Sequence, residues 1–328
     1  MKDQLGRTID YIRISVTDRC NLRCVYCMPQ EGMPNIPHEE ILRFDEILRL
    51  VGILAGQGVS RVKITGGEPL VRKGVVSLIR DIKHIDGINS VTITTNGVLL
   101  SELLEPLAEA GIDGITVSLD TLDPQHYLEV TRRDELDRVV HGIKLALHSN
   151  RVPLKINCVP VFGMNEDIFK LAELAREYDI SVRFIEMMPI GFGQEFPFVE
   201  EKQLRSNLET RFGALTPCFD VKGNGPCLYY RAEGFKGTFG FISAVSHKFC
   251  GSCNRVRLTA EGFLKTCLQY DYGVDLKKML RGGSSDEEIS EAMMEAVYLK
   301  AAEHNFHKGE IEEDMMGREH RVMSQIGG

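Results

Sequence analysis

An α/β fold is expected here: an incomplete (β/α)6 barrel followed by a smaller C-terminal domain. Short β-branched runs alternate with stretches of helical spacing as far as about residue 215. Such alternation implies parallel strands joined by crossover helices. Six strands are counted in this part, fewer than the eight of a closed barrel. From about Phe212 the alternation stops, and Pro217, Gly223, Gly225, Pro226 and Gly237 punctuate short β-like runs. A boundary near residue 215 is therefore expected, giving a barrel over 1–215 and a second domain over 216–328.

Taken in order, the first strand spans 8–16 and ends where Thr17 and Asp18 open a cysteine-rich loop. Apolar positions Ile47, Leu50, Val51 and Leu54 predict a helix over 44–57. A strand at 60–64 leads into Thr65-Gly66-Gly67-Glu68-Pro69, where glycine would let backbone approach a ligand closely. The sequence has no G-x4-G-K-[S/T], so this is not a P-loop. Further strands are read at 91–95, 114–119, 154–159 and 181–186. Helices are read at 75–85, 102–110, 136–148 and 168–178. The polar and glycine motifs fall at the C-terminal ends of strands, the edge where α/β folds bind ligands. The cysteine loop, Gly66-Gly67, Thr94, Ser118, Lys155 and Met188 can therefore share one site. Beyond the boundary, short strands are read at 228–231 and 238–243. A hairpin turns through Glu261-Gly262, and a helix over 286–303 has the stripe Ile289, Met293, Ala296 and Leu299. Residues 318–328 read as a tail.

With 328 residues, 43% hydrophobic and 26% charged, the chain can bury a sizeable core. A net charge of -8 argues against a general nucleic-acid binder, so any nucleotide site must be a local basic pocket. No apolar run approaches membrane-spanning length, and the N-terminus lacks a basic-then-apolar export signal. The nine cysteines then read as cytoplasmic thiols available to metals rather than disulfides.

Cys20, Cys24 and Cys27 place three thiols within eight residues, spaced C-x3-C-x2-C. Zinc sites usually gather four ligands, and no histidine lies close by. Three thiolates on a four-iron cubane would leave one iron open, whereas full ligation takes four cysteines. A second trio follows at Cys250, Cys253 and Cys267, where zinc is a more serious rival because C-x2-C serves both metals. Between its cysteines run Arg255 and Arg257, on one face if that piece is a strand. Two guanidiniums beside a metal suit a triphosphate or other anion; the alternative is a solvated charged edge. Arg13, inside the first strand, is open to the same two readings.

The first cysteine motif resembles the radical S-adenosylmethionine (SAM) signature. Over essentially its whole length the chain resembles the GTP 3′,8-cyclase family, which opens molybdenum-cofactor biosynthesis. The likeness is carried by Gly6-Arg7, the lead-in Arg13 to Cys20, Thr65 to Pro69, Thr94-Thr95-Asn96-Gly97, Ser118-Leu119-Asp120 and Arg183 to Glu186. The second cysteine trio and the terminal Gly327-Gly328 complete it. The resemblance implies a radical SAM barrel with two [4Fe–4S] clusters, one on Cys20, Cys24 and Cys27, the other on Cys250, Cys253 and Cys267. It implies SAM contacts from the Tyr26 backbone, Gly67, Ser118 and Met188. It implies GTP contacts from Arg13, Lys63, Thr94, Lys155, Arg255 and Arg257. Lys63 stands where the family often has arginine, which keeps the charge but loses the bidentate fork. A SAM-derived radical would take the ribose 3′ hydrogen, and the carbon radical would close on C8 of guanine. The product, (8S)-3′,8-cyclo-7,8-dihydroguanosine 5′-triphosphate, would pass to a cyclic pyranopterin phosphate synthase. The resemblance also implies a flavodoxin or ferredoxin as electron donor, a cytoplasmic enzyme without nucleic-acid or membrane partners, and leaves a homodimer open. Gly327-Gly328 is expected to enter the active-site cavity. The competing readings are another radical SAM enzyme with an auxiliary cluster, for example a peptide-modifying one, and a non-catalytic, zinc-stabilised nucleotide-binding module.

Overall fold

The structure is a computed structural model and describes residues 1–34, 36–161, 163, 167–220, 223, 225–306, 317 and 319–327. The expected strands form as β1 (Tyr11–Ser15), β2 (Arg61–Thr65), β3 (Ser90–Thr95), β4 (Gly114–Ser118), β5 (Leu154–Cys158) and β6 (Ser181–Ile185). The helices between them are α1 (Phe44–Gly56), α2 (Val75–Lys83), α3 (Leu100–Glu109), α4 (Pro124–Thr131), α5 (Leu136–Ser149) and α6 (Ile168–Glu177). Sequence periodicity missed α4, a short helix with a weak apolar stripe. Its start is nonetheless encoded: the Asp123 carboxylate accepts from the backbone N–H of Gln125 and His126, and Pro124 sits in the first turn.

Each barrel strand points alternate side chains outward and inward. On β1, Ile12 and Ile14 are fully buried, while Tyr11 and Arg13 line a central cavity. The outward residues Ile12, Ile14, Val62, Ile64, Val91, Ile93, Ile115, Val117 and Ile156 form one apolar core with helix residues such as Leu50, Leu54, Leu78, Leu107, Ile143 and Leu171. Each such side chain contributes roughly 1.5–3 kcal/mol on burial, which is enough to hold a wall whose other face is polar.

The strands of the C-terminal region join the sheet of the first six. After α7 (Glu201–Phe212), which periodicity also missed, come β7 (Leu215–Cys218), β8 (Leu228–Ala232), β9 (Thr238–Ile242), β10 (Arg255–Leu258), β11 (Phe263–Lys265) and β12 (Gly273–Asp275). These strands build no sheet of their own. Among the described residues the order is β12-β11-β10-β1-β2-β3-β4-β5-β6-β9-β8-β7. β10 pairs parallel with β1, and β9 pairs parallel with β6. The six expected parallel strands are thus flanked by two more, each capped by antiparallel neighbours. β9 closes a hairpin with β8, and β10 follows a loop with one 3-10 turn at Cys250–Ser252, so neither carries the preceding α-helix that marks a parallel strand in sequence.

The remaining helices are α8 (Leu276–Arg281), α9 (Asp286–Tyr298) and α10 (Met323–Ile326). α9 is shorter than the expected 286–303. It buries Ile289, Met293, Ala296 and Val297, whereas Leu299, expected in the stripe, is 38% exposed just past its end.

Candidate active site

One cavity of about 1080 Å³ opens on the inner face of the sheet. Every site residue expected from sequence lines it: Cys20, Cys24, Tyr26 and Cys27 from the first loop; Arg13, Lys63, Gly67, Thr94, Ser118, Lys155 and Met188 from the strands and their ends; and Cys250, Cys253, Arg255, Arg257 and Cys267. Strand register explains much of the convergence. Arg13 lies opposite Lys63 on one side and Arg257 on the other. Thr116 bridges Thr94 and Lys155 in the next row, and Asn157 pairs with Arg183.

Arg183 is the largest omission from the sequence-based set. It lines the cavity, and its guanidinium donates to Thr116 Oγ1 at 3.2 Å. Gly240 sits directly opposite; a Cβ there would fall 2.8 Å from the Arg183 side chain and 2.5 Å from Cys227 Sγ. The sequence signal for Arg183 is the motif Arg183-Phe184-Ile185-Glu186. With it, six cations share one wall: Arg13, Lys63, Lys155, Arg183, Arg255 and Arg257.

Their mutual proximity is costly. Burial, then Arg183, Arg13 and Lys155, push the Lys63 amine well below its ordinary value. Among the described residues its Nζ reaches Thr94 Oγ1 at 3.5 Å and Thr116 Oγ1 at 3.4 Å. Burial, then Arg183, lowers Lys155 to about 8. Burial also lowers Arg257, with Arg13 and Arg255 adding to the effect. The Nε atoms of Arg183 and Arg255 have no hydrogen-bond partner among the described residues. Buried like charges persist where an anion compensates them.

The first trio has the opposite surroundings. Burial raises the Cys20 thiol to about 11, and burial with the Cys20 and Asp120 charges raises Cys27 to about 12. Cys24 is raised too, through burial and then the charges of Cys27, Cys20 and Asp120. Two buried carboxyls face this end of the cavity. Burial raises Glu68 to about 7 and Asp120 to about 6. The Asp120 carboxylate accepts from Tyr26 Oη and from Val159 N at 2.8 Å, pinning the cysteine loop to the ends of β4 and β5. Glu68 accepts from Leu70 N, Thr95 Oγ1 and Asn96 N. Gly66 and Gly67 have a more local purpose than approach to a ligand. A Cβ on Gly67 would lie 2.5 Å from the carbonyls of Asp18 and Arg19, so only glycine lets this turn pack under the cysteine loop.

At the second trio, burial raises Cys250. Burial also disfavours the Cys253 thiolate, yet Lys300, Arg255 and Arg7 together hold that thiol below its ordinary value. Arg7, carried by the Gly6-Arg7 pair, donates to the carbonyls of Cys250, Ala301 and Ala302 and so ties this loop to the chain after α9. All nine cysteines are free. Cys158 is core, whereas Cys218 and Cys227 also line the cavity. Among the described residues, no three His, Cys, Asp or Glu side chains close on a single metal ion.

From the tail, Met323 and Ser324 line the cavity, whereas Gly327, expected to enter it, lies behind Arg257. Gly327 is buried at φ +74°, and its carbonyl accepts from Arg257 at 2.6 Å. A Cβ there would meet Thr65 Oγ1 at 2.6 Å. Gly328 lies outside the described residues.

Residues 14–191 match the radical SAM superfamily, and residues 180–306 match the family described as Molybdenum Cofactor Synthesis C. The chain is therefore a radical SAM protein, a class that works with SAM and an iron–sulfur cluster. Two solved structures of Streptococcus suis SuiB share its fold. The complex with S-adenosylmethionine has a TM-score of 0.55 at 20% identity, covering 80% of this chain and 60% of that one. The complex with the precursor peptide SuiA has a TM-score of 0.60 at 16% identity, covering 89% and 65%. Curated relatives resolve the family within the class. Proteins called GTP 3′,8-cyclase from Clostridium perfringens and Moorella thermoacetica are each 44% identical, and one from Thermodesulfovibrio yellowstonii is 42% identical. Each alignment covers 100% of both chains. The chain belongs to the GTP 3′,8-cyclase family.

Proposed function

We propose that this enzyme cyclises GTP between the ribose 3′ carbon and guanine C8, using two [4Fe–4S] clusters held by the two cysteine trios. The observation that carries the assignment is the division of charge across one cavity. Cys20, Cys24 and Cys27 would hold the first cluster, beside Glu68 and Asp120. SAM is a cationic ligand through its sulfonium, and this acidic end suits it. Cys250, Cys253 and Cys267 would hold the second cluster, beside the six-cation wall, which suits a triphosphate. Buried thiols pushed upward by burial and by one another fit metal ligation, because a metal supplies the positive charge they lack.

Bound at the first trio, a cluster and SAM supply one-electron cleavage that yields an organic radical. The chain's own residues then place and shield. Tyr26, Gly67, Ser118 and Met188 border the SAM end. Arg13, Lys63, Thr94, Lys155, Arg183, Arg255 and Arg257 would bind GTP, the guanidiniums gripping phosphate bidentately and Lys63 acting as a point charge. Placement of this kind converts an encounter into a near-attack geometry. Gly327 packs behind Arg257 and Thr65, where only backbone fits. The product would pass to a cyclic pyranopterin phosphate synthase, with flavodoxin or ferredoxin as the electron source.

Anaerobic incubation with GTP, SAM and a reductant tests the proposal. The expected products are 5′-deoxyadenosine and a cyclised nucleotide in equal amounts. SAM cleavage without nucleotide cyclisation would reject GTP as the substrate.

A further inference from the structure

We propose that Asn96 is a positioning residue of the cluster site, donating an N–H···S bond to Cys20 that raises the cluster's reduction potential. The proposal rests on the reading that Cys20, Cys24 and Cys27 hold that cluster. Asn96 lies in the loop after β3, with its backbone N–H bound to Glu68 Oε2 at 2.6 Å. Its amide orientation is set by its neighbours. Oδ1 accepts from Val98 N at 3.0 Å, so Nδ2 faces the cysteine loop. There it donates to Asn21 Oδ1 at 2.8 Å and to Cys20 Sγ at 3.8 Å. An amide nitrogen has two protons, one for each of these acceptors.

Cys20 Sγ also accepts from Leu22 N at 3.4 Å, but that donor belongs to the cysteine loop itself. Asn96 reaches it from another β/α unit, 76 residues away in sequence. A hydrogen bond to a ligating sulfur withdraws charge from it. Reduction makes the sulfur more electron-rich and the bond stronger, so the bond favours the reduced cluster. Asn96 would therefore balance two demands, easing electron entry from the donor while tempering the driving force toward SAM. The Asn21 bond holds the loop at the distance this needs.

The experiment is an anaerobic redox titration of the full-length reconstituted protein, following the EPR signal that changes on SAM addition. Asn96→Asp keeps the shape and the acceptor for Val98 but removes the amide donor; Asn96→Ala removes the donor without adding charge. Iron content should match wild type. At a fixed potential the oxidised-to-reduced ratio of the SAM-sensitive cluster should rise about tenfold, a downward shift of about 59 mV for a one-electron couple. The other cluster's midpoint should not move. Full iron content with an unmoved SAM-sensitive midpoint in either variant overturns the proposal. Loss of that cluster in both variants also overturns it, because Asn96 would then only build the loop. A wild-type protein without any SAM-sensitive signal would instead overturn the assignment of the trio itself.

Discussion

The two cysteine trios line one cavity yet sit in opposite fields. Cys24 and Cys27 have Asp120 and each other close by, and burial drives their thiols up. Cys253 is half-buried, and there Lys300, Arg255 and Arg7 reverse the direction. The cysteines are alike, so the difference comes from what each loop packs against. The first loop lies over strand ends rich in carboxyl and amide groups. The second lies between the cationic inner face of β10 and the chain leaving α9, whose Lys300 Nζ donates to the carbonyls of Arg255 and Thr266. Under the proposed function, similar ligands would serve a cationic cosubstrate at one end and a polyanion at the other.

Exchanging a ligand in each trio should break the comparison most completely. Cys24→Ser is expected to abolish SAM cleavage while leaving the second cluster's signal. Cys253→Ser should abolish nucleotide cyclisation and leave some SAM cleavage. Iron, labile sulfide and EPR on both variants check this, and loss of the same signal in both would refute two independent clusters.

Removing one cation from the substrate end should be milder. A charge-assisted hydrogen bond contributes about 1.5–3 kcal/mol, so Arg257→Ala is expected to weaken GTP binding roughly ten- to a hundredfold. Basal SAM cleavage should stay near wild type. Anaerobic equilibrium binding beside 5′-deoxyadenosine formation separates the two effects.

Lys300→Gln probes the field at the second trio directly. With the ammonium gone, that cluster's midpoint should fall while the first cluster's stays put, as read by redox titration. The loss of a buried donor should also lower stability by about 1–3 kcal/mol, visible as a lower Tm.

The smallest expected effect is a pH dependence. Lys155 has its amine lowered to about 8, chiefly by burial and then by Arg183. Below that pH it is charged and attracts phosphate; above it the free site loses the charge, and GTP must bind with proton uptake. Affinity should therefore fall by about fourfold between about pH 7 and 8.5 if only the charged form binds. Lys155→Met should flatten that profile, and a slope that survives the substitution would assign the titration elsewhere.

Much of this was legible in the chain because it is local. Period-two and period-3.6 patterns predicted β1 to β6 and the principal barrel helices, since each element buries one face whatever surrounds it. The C-x3-C-x2-C spacing and the polar residues at strand ends marked the site for the same reason: loop geometry and strand direction are short-range properties. Arg255 and Arg257 were placed on one face by alternation alone, and both do face the cavity. Tertiary structure decided what depends on distant partners. That β9 and β10 extend the parallel sheet on both flanks, that Arg183 completes the cationic wall, and that Gly66-Gly67 cushions the cysteine loop are long-range outcomes. So are the opposed fields of the two trios. A cysteine's spacing is written in its own loop, but its charge environment is the sum over side chains brought from elsewhere, and only the folded chain assembles that sum.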